Sequence, residues 1–170
     1  MNPLTTARLS LEPLLEGHAA EMFAVLADPA IYAYENAPPA SVEALAARYR
    51  RLQARRSPDG REQWLNWVAR LSASGAAIGY VQATIFADGH AAIAYELDSR
   101  YWGRGLAQEA VRAMLAALAD TYRVSRITAT LKCRNERSLR LLQRLGFEAA
   151  EAAEGLEPDE RQMTLSRPPV

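Results

Sequence analysis

The sequence predicts a mixed α/β (α+β) domain with one central sheet. Three observations carry this prediction: segments that alternate apolar and polar residues, segments with apolar residues three and four positions apart, and Gly or Pro turns between them. The chain has 170 residues, of which 49% are hydrophobic and 24% charged, as in ordinary globular proteins. We therefore expect a single domain over 1–170, with a sizeable core.

The first third of the chain predicts a strand and two helices. Alternating apolar and polar residues predict the strand over about 7–13. A stripe of apolar residues predicts a helix over about 18–27, which Asp28-Pro29 ends. A second helix is predicted over about 41–55, where Ser41 is suited to cap its first turn.

Three β-like segments follow, at 63–71, 77–86 and 91–98. The first two are separated by Ser-Ala-Ser-Gly and the last two by a turn that contains Asp88-Gly89. An Asp-Gly pair between two such segments is typical of a β-hairpin. We therefore expect neighbouring antiparallel strands here.

The second half of the chain alternates helix and strand. The predicted elements are a helix over about 104–120, a strand over 124–131, a helix over 135–145, a short strand that begins at Phe147 and a last strand at 163–165. Gly146 ends the second of these helices. The acidic segment 151–160 is predicted to be a loop.

Composition excludes several classes of protein. The 20 basic and 20 acidic residues balance, which argues against a nucleic-acid binder. Cys133 is the single cysteine, so no intrachain disulfide forms, and His18 and His90 lie far apart, so we expect no metal site. No apolar run approaches the ~20 residues that span a bilayer, and the N-terminus lacks a signal-peptide pattern. We therefore expect a cytoplasmic protein without membrane or nucleic-acid partners.

Two closely spaced glycines stand just before the predicted helix at 104–120. In "SRYWGRGLAQEA", residues 99–110, Gly103 and Gly105 precede the apolar helical pattern. The first N–H groups of a helix have no internal partner and lie at the positive end of its dipole. A loop of small residues that leads into such a terminus is suited to wrap phosphate oxygens. Taken alone, the segment fits a plain strand-to-helix turn equally well.

Three blocks of the sequence resemble the GNAT acetyltransferase superfamily. Arg100-Tyr-Trp-Gly103-Arg-Gly105 is similar to the acyl-CoA pyrophosphate pattern Gln/Arg-x-x-Gly-x-Gly/Ala of that family, and residues 95–110 resemble the subgroup of ribosomal-protein alanine N-acetyltransferases. Asn135-Glu-Arg-Ser138, followed by Gly146-Phe147, resembles the family's last helix. The opening strand resembles "T-x-R-L-x-L-R-P", with Glu12 in place of the usual basic residue. The resemblance implies one GNAT-like domain, with a central, mostly antiparallel sheet flanked by helices on both faces.

The resemblance also implies an activity. It indicates an N-acetyltransferase that moves an acetyl group from acetyl-CoA, its cosubstrate, to a protein N-terminus or a small-molecule amine by direct attack in a ternary complex. The cofactor-binding residues that it implies are Leu97, Arg100, Trp102, Gly103, Arg104, Gly105, Leu106, Ala107, Asn135 and Ser138. A homodimer is common in the family. The alternatives are a non-catalytic acyl-CoA-binding or regulatory module, and a nucleotide-phosphate binder unrelated to CoA.

Two residues are our candidates for the chemistry. Glu96 is the best-placed carboxylate to accept the proton of the amine, and Asp98 is the second choice. Ser138 occupies the position on the last helix from which many members of the family use a tyrosine to protonate the thiolate. By family analogy, the N–H of Leu97 stabilises the oxyanion, exposed by a bulge in its strand.

The acceptor amine is expected to contact the early helices and the acidic loop. We expect it to contact Tyr32, Tyr34, Glu35 and the acidic segment 151–160. On the last helix, three arginines at helical spacing are predicted to form a solvated face, although one of them is placed to meet the 3′-phosphate of the cofactor; they are Arg137, Arg140 and Arg144. Cys133 is predicted to end a strand and not to act as a nucleophile.

Overall fold

The computed structural model describes residues 1–34, 36–150 and 155–166. The strands are β1 (Leu4–Thr5), β2 (Leu9–Pro13), β3 (Gln63–Leu71), β4 (Ala77–Ile85), β5 (Ala91–Leu97), β6 (Arg126–Lys132), β7 (Glu148–Ala149) and β8 (Glu160–Ser166). The α-helices are α1 (Ala19–Leu26), α2 (Val42–Leu52), α3 (Leu106–Asp120) and α4 (Glu136–Arg144). Short 3₁₀ turns occur at Glu16–His18, Pro29–Tyr32 and Ser99–Tyr101.

The strands form one sheet in the order β1-β2-β3-β4-β5-β6-β8-β7. All neighbours are antiparallel except β5 and β6, which pair in parallel at Ala91–Ile127 and Ala92–Thr128. Beyond these two pairs, no further pairing joins β5 and β6 among the described residues, so the sheet opens toward Leu97. The predicted mixed α/β fold with a central, mostly antiparallel sheet is confirmed.

Helices cover both faces of the sheet, as β3 shows. Because successive side chains of a strand point to opposite faces, Trp67 and Val68 belong to different layers. Trp67 lies in the larger core cluster together with the apolar stripe of α3, whereas Val68 lies in a second cluster with the apolar residues of α1 and α2. The helices therefore bury their apolar stripes against opposite sides of one sheet.

The structure differs from the predicted elements at three places: one additional strand and the starts of two elements. Strand β1 was not predicted, because its two residues are too short to show alternation. Helix α3 begins at Leu106 and not at 104, because Gly103 and Gly105 have left-handed φ angles of 72° and 76°. Strand β8 begins at Glu160, inside the predicted acidic loop, where it pairs with Lys132 at the end of β6.

The sequence departs from the family pattern at Glu12, and the structure supplies a local reason. The carboxylate of Glu12 accepts a hydrogen bond from Nε of Arg70 at 2.7 Å, and Arg70 also pairs with Glu21 on α1. Glu12 is therefore one of two carboxylates that neutralise an arginine on the neighbouring strand. None of the helices in the described parts of the chain has the length and apolar character needed to span a bilayer.

Candidate active site

A cavity of about 460 Å³ lies where β5 and β6 diverge. Residues 93–97 of β5 and 129–131 of β6 line its two sides, and α4 contributes Asn135 at its N-terminus and Ser138. The segment between α1 and α2 covers another side, through residues that include Tyr32 and Tyr34. Because the cavity passes through the opened sheet, side chains from both faces of β5 reach it.

The backbone of β5 directs polar groups into this opening. The N–H of Asp98 donates to the carbonyl of Ile78 on the β4 side at 2.9 Å. Because N–H groups alternate between the two edges of an antiparallel strand, the N–H of Leu97 points toward β6, beyond the last β5–β6 pair. The carbonyl of Leu97 on the same edge accepts from Nε1 of Trp102 at 2.7 Å.

The predicted bulge at Leu97 is wrong. The β4–β5 register is regular from the Gly79–Leu97 pair to the Ile85–Ala91 pair. The N–H of Leu97 reaches the cavity because β6 turns away, and not because β5 is distorted. Sequence periodicity carries no information about where two parallel strands separate.

Gly79 on β4 lies beside the backbone of Glu96 in a conformation that leaves no room for a side chain. A Cβ atom at Gly79 would lie 2.1 Å from the carbonyl oxygen of Glu96, and Gly79 has a φ of 153°. Only glycine fits this contact, which the sequence analysis did not single out. A side chain at position 79 would therefore displace the β5 backbone at the carboxylate that we predict to be the base.

The glycine turn leads into a helix start without a side-chain cap. Gly105 is the N-cap of α3, and the N–H groups of Gly105, Leu106 and Ala107 donate to no acceptor among the described residues. The N–H of Trp102, one of the predicted cofactor-binding residues, already bonds the carbonyl of Ser99 at 3.1 Å. The available donors therefore begin later in the turn than predicted.

The arginines of the turn do not line the cavity. Arg100 binds Asp98 through Nη2 at 2.5 Å, and this hydrogen bond holds the pKa of Asp98 below its ordinary value. The guanidinium of Arg104 stacks on Tyr101, 5.7 Å from the ring centroid. Asp98 is itself buried, and it caps the turn by accepting from the N–H of Arg100. Its contacts make Asp98 a structural carboxylate and not a second base in the cavity.

Arg8, from the turn between β1 and β2, holds the start of α3. Its Nη1 donates to the carbonyl of Arg104 at 2.9 Å, and its Nη2 lies 2.6 Å from the carboxylate of Glu109. Glu109 also accepts from the hydroxyl of Thr6 at 2.6 Å. Thr6 and Arg8 are the first Thr and Arg of the opening-strand motif, for which no role was predicted.

Glu96 and Arg48 are opposite charges in the same part of the cavity. Both residues line it. The pKa of Tyr32 is raised to about 12, mainly by burial and then by the charge of Glu96, while Arg48 opposes this shift. Burial and the charge of Glu96 likewise raise the pKa of Tyr80. Both phenols consequently stay protonated near neutral pH and are able to donate hydrogen bonds.

The hydroxyls of Tyr95 and Ser138 form a hydrogen-bonded pair, with 2.7 Å between the oxygens. Burial raises the pKa of Tyr95 to about 12, and the hydrogen bond to Ser138 opposes that shift. Ser138 is placed by the N-cap Asn135, whose Oδ1 accepts from its N–H at 3.1 Å. Tyr95 was not predicted as a site residue, because strand alternation puts it on the opposite face from Glu96.

The three arginines of α4 are solvent-exposed, as predicted, and Arg137 is also partly desolvated beside the cavity. Arg137 lines the cavity, and its guanidinium carbon lies 3.3 Å from the ring centroid of Trp102. Burial lowers the pKa of Arg137 from its ordinary value. Arg140 and Arg144 do not line the cavity, and Arg140 pairs with Glu136 at 2.9 Å.

The acidic segment does not reach the cavity in its described part. Glu157, Asp159 and Glu160 surround the amine of Lys132 at 2.7, 3.0 and 3.2 Å, and none of them lines the cavity. Glu35 and residues 151–154 lie outside the described residues. Cys133 directly follows β6, as predicted, and is not among the residues that line the cavity.

Comparison with known proteins identifies the family. Residues 8–148 match the family described as the acetyltransferase (GNAT) domain. The chain belongs to the GNAT acetyltransferase family. This result confirms the resemblance on which the cofactor and activity were predicted.

Relatives and solved structures agree with this family. A 52-residue stretch is 36% identical to a spermine/spermidine N(1)-acetyltransferase of Bacillus subtilis and covers 31% of this chain, but only 34% of that relative's length. A ribosomal-protein-S5-alanine acetyltransferase from Vibrio fischeri has a TM-score of 0.81 at 19% identity, over 98% of this chain and 97% of the other. A ribosomal L7/L12 alpha-N-protein acetyltransferase in complex with coenzyme A has a TM-score of 0.82 at 16% identity, over 98% of each chain. At these identities the two structures show that the fold is shared.

The GNAT fold brings together part of the predicted site. The predicted residues that line the one cavity are Glu96, Leu97, Trp102, Ala107, Asn135 and Ser138. The others lie in the adjoining glycine turn, outside the cavity lining: Arg100, Gly103, Arg104, Gly105 and Leu106. The predicted catalytic residues therefore line the cavity, and the predicted phosphate-binding residues form the turn beside it.

Proposed function

We propose that this GNAT protein is an N-acetyltransferase that moves the acetyl group of acetyl-CoA to a primary amine by direct attack in a ternary complex. One observation carries the proposal. The carboxylate of Glu96, the N–H of Leu97 and the hydroxyl of Ser138 belong to a single cavity, which extends to the first turn of α3 at Ala107. A thioester held along this cavity has a base, an oxyanion donor and a donor for the leaving group within one enclosed space.

The glycine turn would hold the diphosphate of acetyl-CoA. The N–H groups of Gly105, Leu106 and Ala107 lie at the positive end of the α3 dipole. A methyl group added at Gly103 would meet no protein atom within 4 Å, so the space beside the turn is open to a ligand. Arg100 and Arg104 as direct phosphate ligands remain predictions from the sequence.

Acetyl transfer then needs a neutral amine and a stabilised tetrahedral oxyanion. Glu96 accepts the proton that the amine loses, directly or through water. The N–H of Leu97 donates to the oxyanion that forms on the thioester carbonyl. Because a thioester is already activated, placing the two reactants together supplies much of the acceleration, up to about 7–11 kcal/mol in favourable cases.

Departure of the CoA thiolate would be assisted by Ser138. Its hydroxyl is oriented by the neighbouring phenol of Tyr95, which remains protonated because its pKa is raised to about 12. A thiol with an ordinary pKa of ~8.5 leaves readily as a thiolate, so a hydrogen bond suffices where full protonation is not required. The Tyr95–Ser138 pair thus stands in for the tyrosine that many family members carry on the last helix.

The test is a thiol-release assay of the purified protein with acetyl-CoA and a panel of primary amines. We expect turnover with at least one amine, and a fall in kcat of about 10²- to 10⁴-fold in Glu96→Gln, with acetyl-CoA affinity unchanged. Tight binding of acetyl-CoA without turnover of any amine would instead support the non-catalytic module. Tighter binding of ATP than of CoA in calorimetric titration would support the nucleotide-binding alternative. A homodimer and a cytoplasmic location stay predictions.

A further inference from the structure

A small recess with both leucine and polar side chains in its lining adjoins the cavity beside α2. It has a volume of about 10 Å³ and is lined by residues that include Arg48, Tyr49, Asn66 and Gln82. Arg48 and Gln82 also line the main cavity, so the recess and the cavity share walls. A recess of this volume is just large enough to hold one water molecule or one ligand atom of similar size.

The recess contains a buried polar atom without a protein partner. Tyr49 is 3% exposed, and its hydroxyl has no hydrogen-bond partner among the described residues. A buried hydroxyl that donates to nothing costs free energy, so such a group commonly marks the place of a water or ligand atom. Burial raises the pKa of Tyr49, so the hydroxyl keeps its proton and requires an acceptor.

The charges around the recess specify what kind of acceptor atom it suits. Arg48 is a cation on its wall, and a guanidinium favours a carboxylate oxygen. Glu96 is near enough to Tyr49 for its charge to raise the pKa of that phenol, and the charge of Arg48 lowers it. The guanidinium of Arg48 and the carboxylate of Glu96 are therefore both close to the tyrosines of this region.

We propose that the acceptor is a small amine that carries its own carboxylate, of the amino-acid class, with its amine at Glu96 and a carboxylate oxygen at Arg48 and Tyr49. This inference rests on the proposed function and names its substrate class. Among the lining residues that the structure describes, Glu96 is the only carboxylate, and Arg48 and Arg137 are both cations. A polyamine would place its further positive charges beside arginines, which disfavours it.

The experiment compares three classes of acceptor with acetyl-CoA: the twenty free amino acids, their methyl esters, and spermidine. We expect at least one free amino acid to be acetylated with kcat/KM about tenfold or more above its own ester, because esterification removes the charge that pairs with Arg48. Arg48→Gln and Tyr49→Phe should each abolish most of that preference. The matched control is Arg51→Gln, an exposed arginine on the same helix that does not line the cavity.

The outcomes separate the two proposals. Acetylation of esters or spermidine at least as efficiently as of free amino acids overturns the substrate class and leaves the acetyltransferase proposal standing. Absence of turnover with every amine overturns the proposed function itself. An Arg48→Gln protein that melts like the parent and keeps its preference for free amino acids shows that the recess holds only water.

Discussion

The hydroxyl oxygens of Tyr95 on β5 and Ser138 on α4 lie 2.7 Å apart, although 43 positions separate the residues in sequence. Both residues line the cavity on which Glu96 also borders. This hydrogen bond links β5, which carries the proposed base, to α4, which carries the proposed hydrogen-bond donor to the CoA thiolate. Substitutions at these two positions therefore distinguish a role in the leaving step from a role in packing.

Removing the Ser138 hydroxyl should slow the release of CoA more than removing the Tyr95 hydroxyl. Ser138→Ala removes the group that contacts the thiolate, and we expect kcat to fall about 10- to 100-fold. Tyr95→Phe leaves Ser138 in place but less well oriented, so we expect a loss of about tenfold or less. Steady-state thiol release measures both. Equal kcat in Ser138→Ala and the parent would contradict the assignment, and Ser74→Ala, at an exposed turn, is the control.

The raised pKa of Tyr95 predicts a loss of stability at alkaline pH. In the unfolded chain the phenol ionises near 10, whereas in the folded protein its pKa is about 12. The unfolded state therefore binds fewer protons between these values, and the free energy of unfolding falls as pH rises from about 10 to 12. At neutral pH the stabilisation is fully present.

Tyr95→Phe should make this alkaline decline shallower, by at most about 1.4 kcal/mol per pH unit. Urea unfolding at pH 9, 10 and 11 measures the slope for both proteins. The same slope in parent and variant would show that Tyr95 titrates in the folded protein as it does in the unfolded chain.

Gly103 and Gly60 provide a matched test of the phosphate site. Their φ angles are 72° and 73°, and a Cβ atom at either would meet no protein atom within 4 Å. Alanine at each position should therefore cost a similar ~1–2 kcal/mol of stability, since both backbones are left-handed. Only Gly103→Ala should raise the KM for acetyl-CoA, because its methyl group projects where a ligand approaches the turn. Equal KM values in the two variants would argue against a diphosphate at the turn.

Gly79→Ala should disrupt the site through the backbone. The new Cβ would lie 2.1 Å from the carbonyl oxygen of Glu96, so β4 and β5 must move apart there. We expect a lower melting temperature and a fall in kcat of about tenfold or more, because a displaced base loses its alignment with the amine. Gly17→Ala, which meets nothing within 4 Å, is the control. Full activity in Gly79→Ala would show that the position of β5 at Glu96 is not critical.

Much of the fold was predictable because its signals are local. The Asp88-Gly89 turn joins β4 and β5 as expected, and Gly146 directly follows the residue that caps α4. The start of β8 was predicted as a loop because its residues are acidic. In the structure, these acidic side chains pair with Lys132 on the neighbouring strand. That pairing joins residues far apart in sequence, so no local sequence pattern predicts it.

The sequence by itself determined the order of helices and strands apart from β1, the glycine turn before α3, and the two candidate residues Glu96 and Ser138. It also carried the resemblance to the GNAT family. Only the tertiary structure decided that β6 leaves β5 after Ala92, that Tyr95 meets Ser138, and that Arg137 stacks on Trp102. The physical reason is the separation in sequence over which each kind of interaction acts. Turn chemistry and periodicity act between near neighbours in the chain, whereas a cavity forms where packing brings distant segments together and leaves space between them.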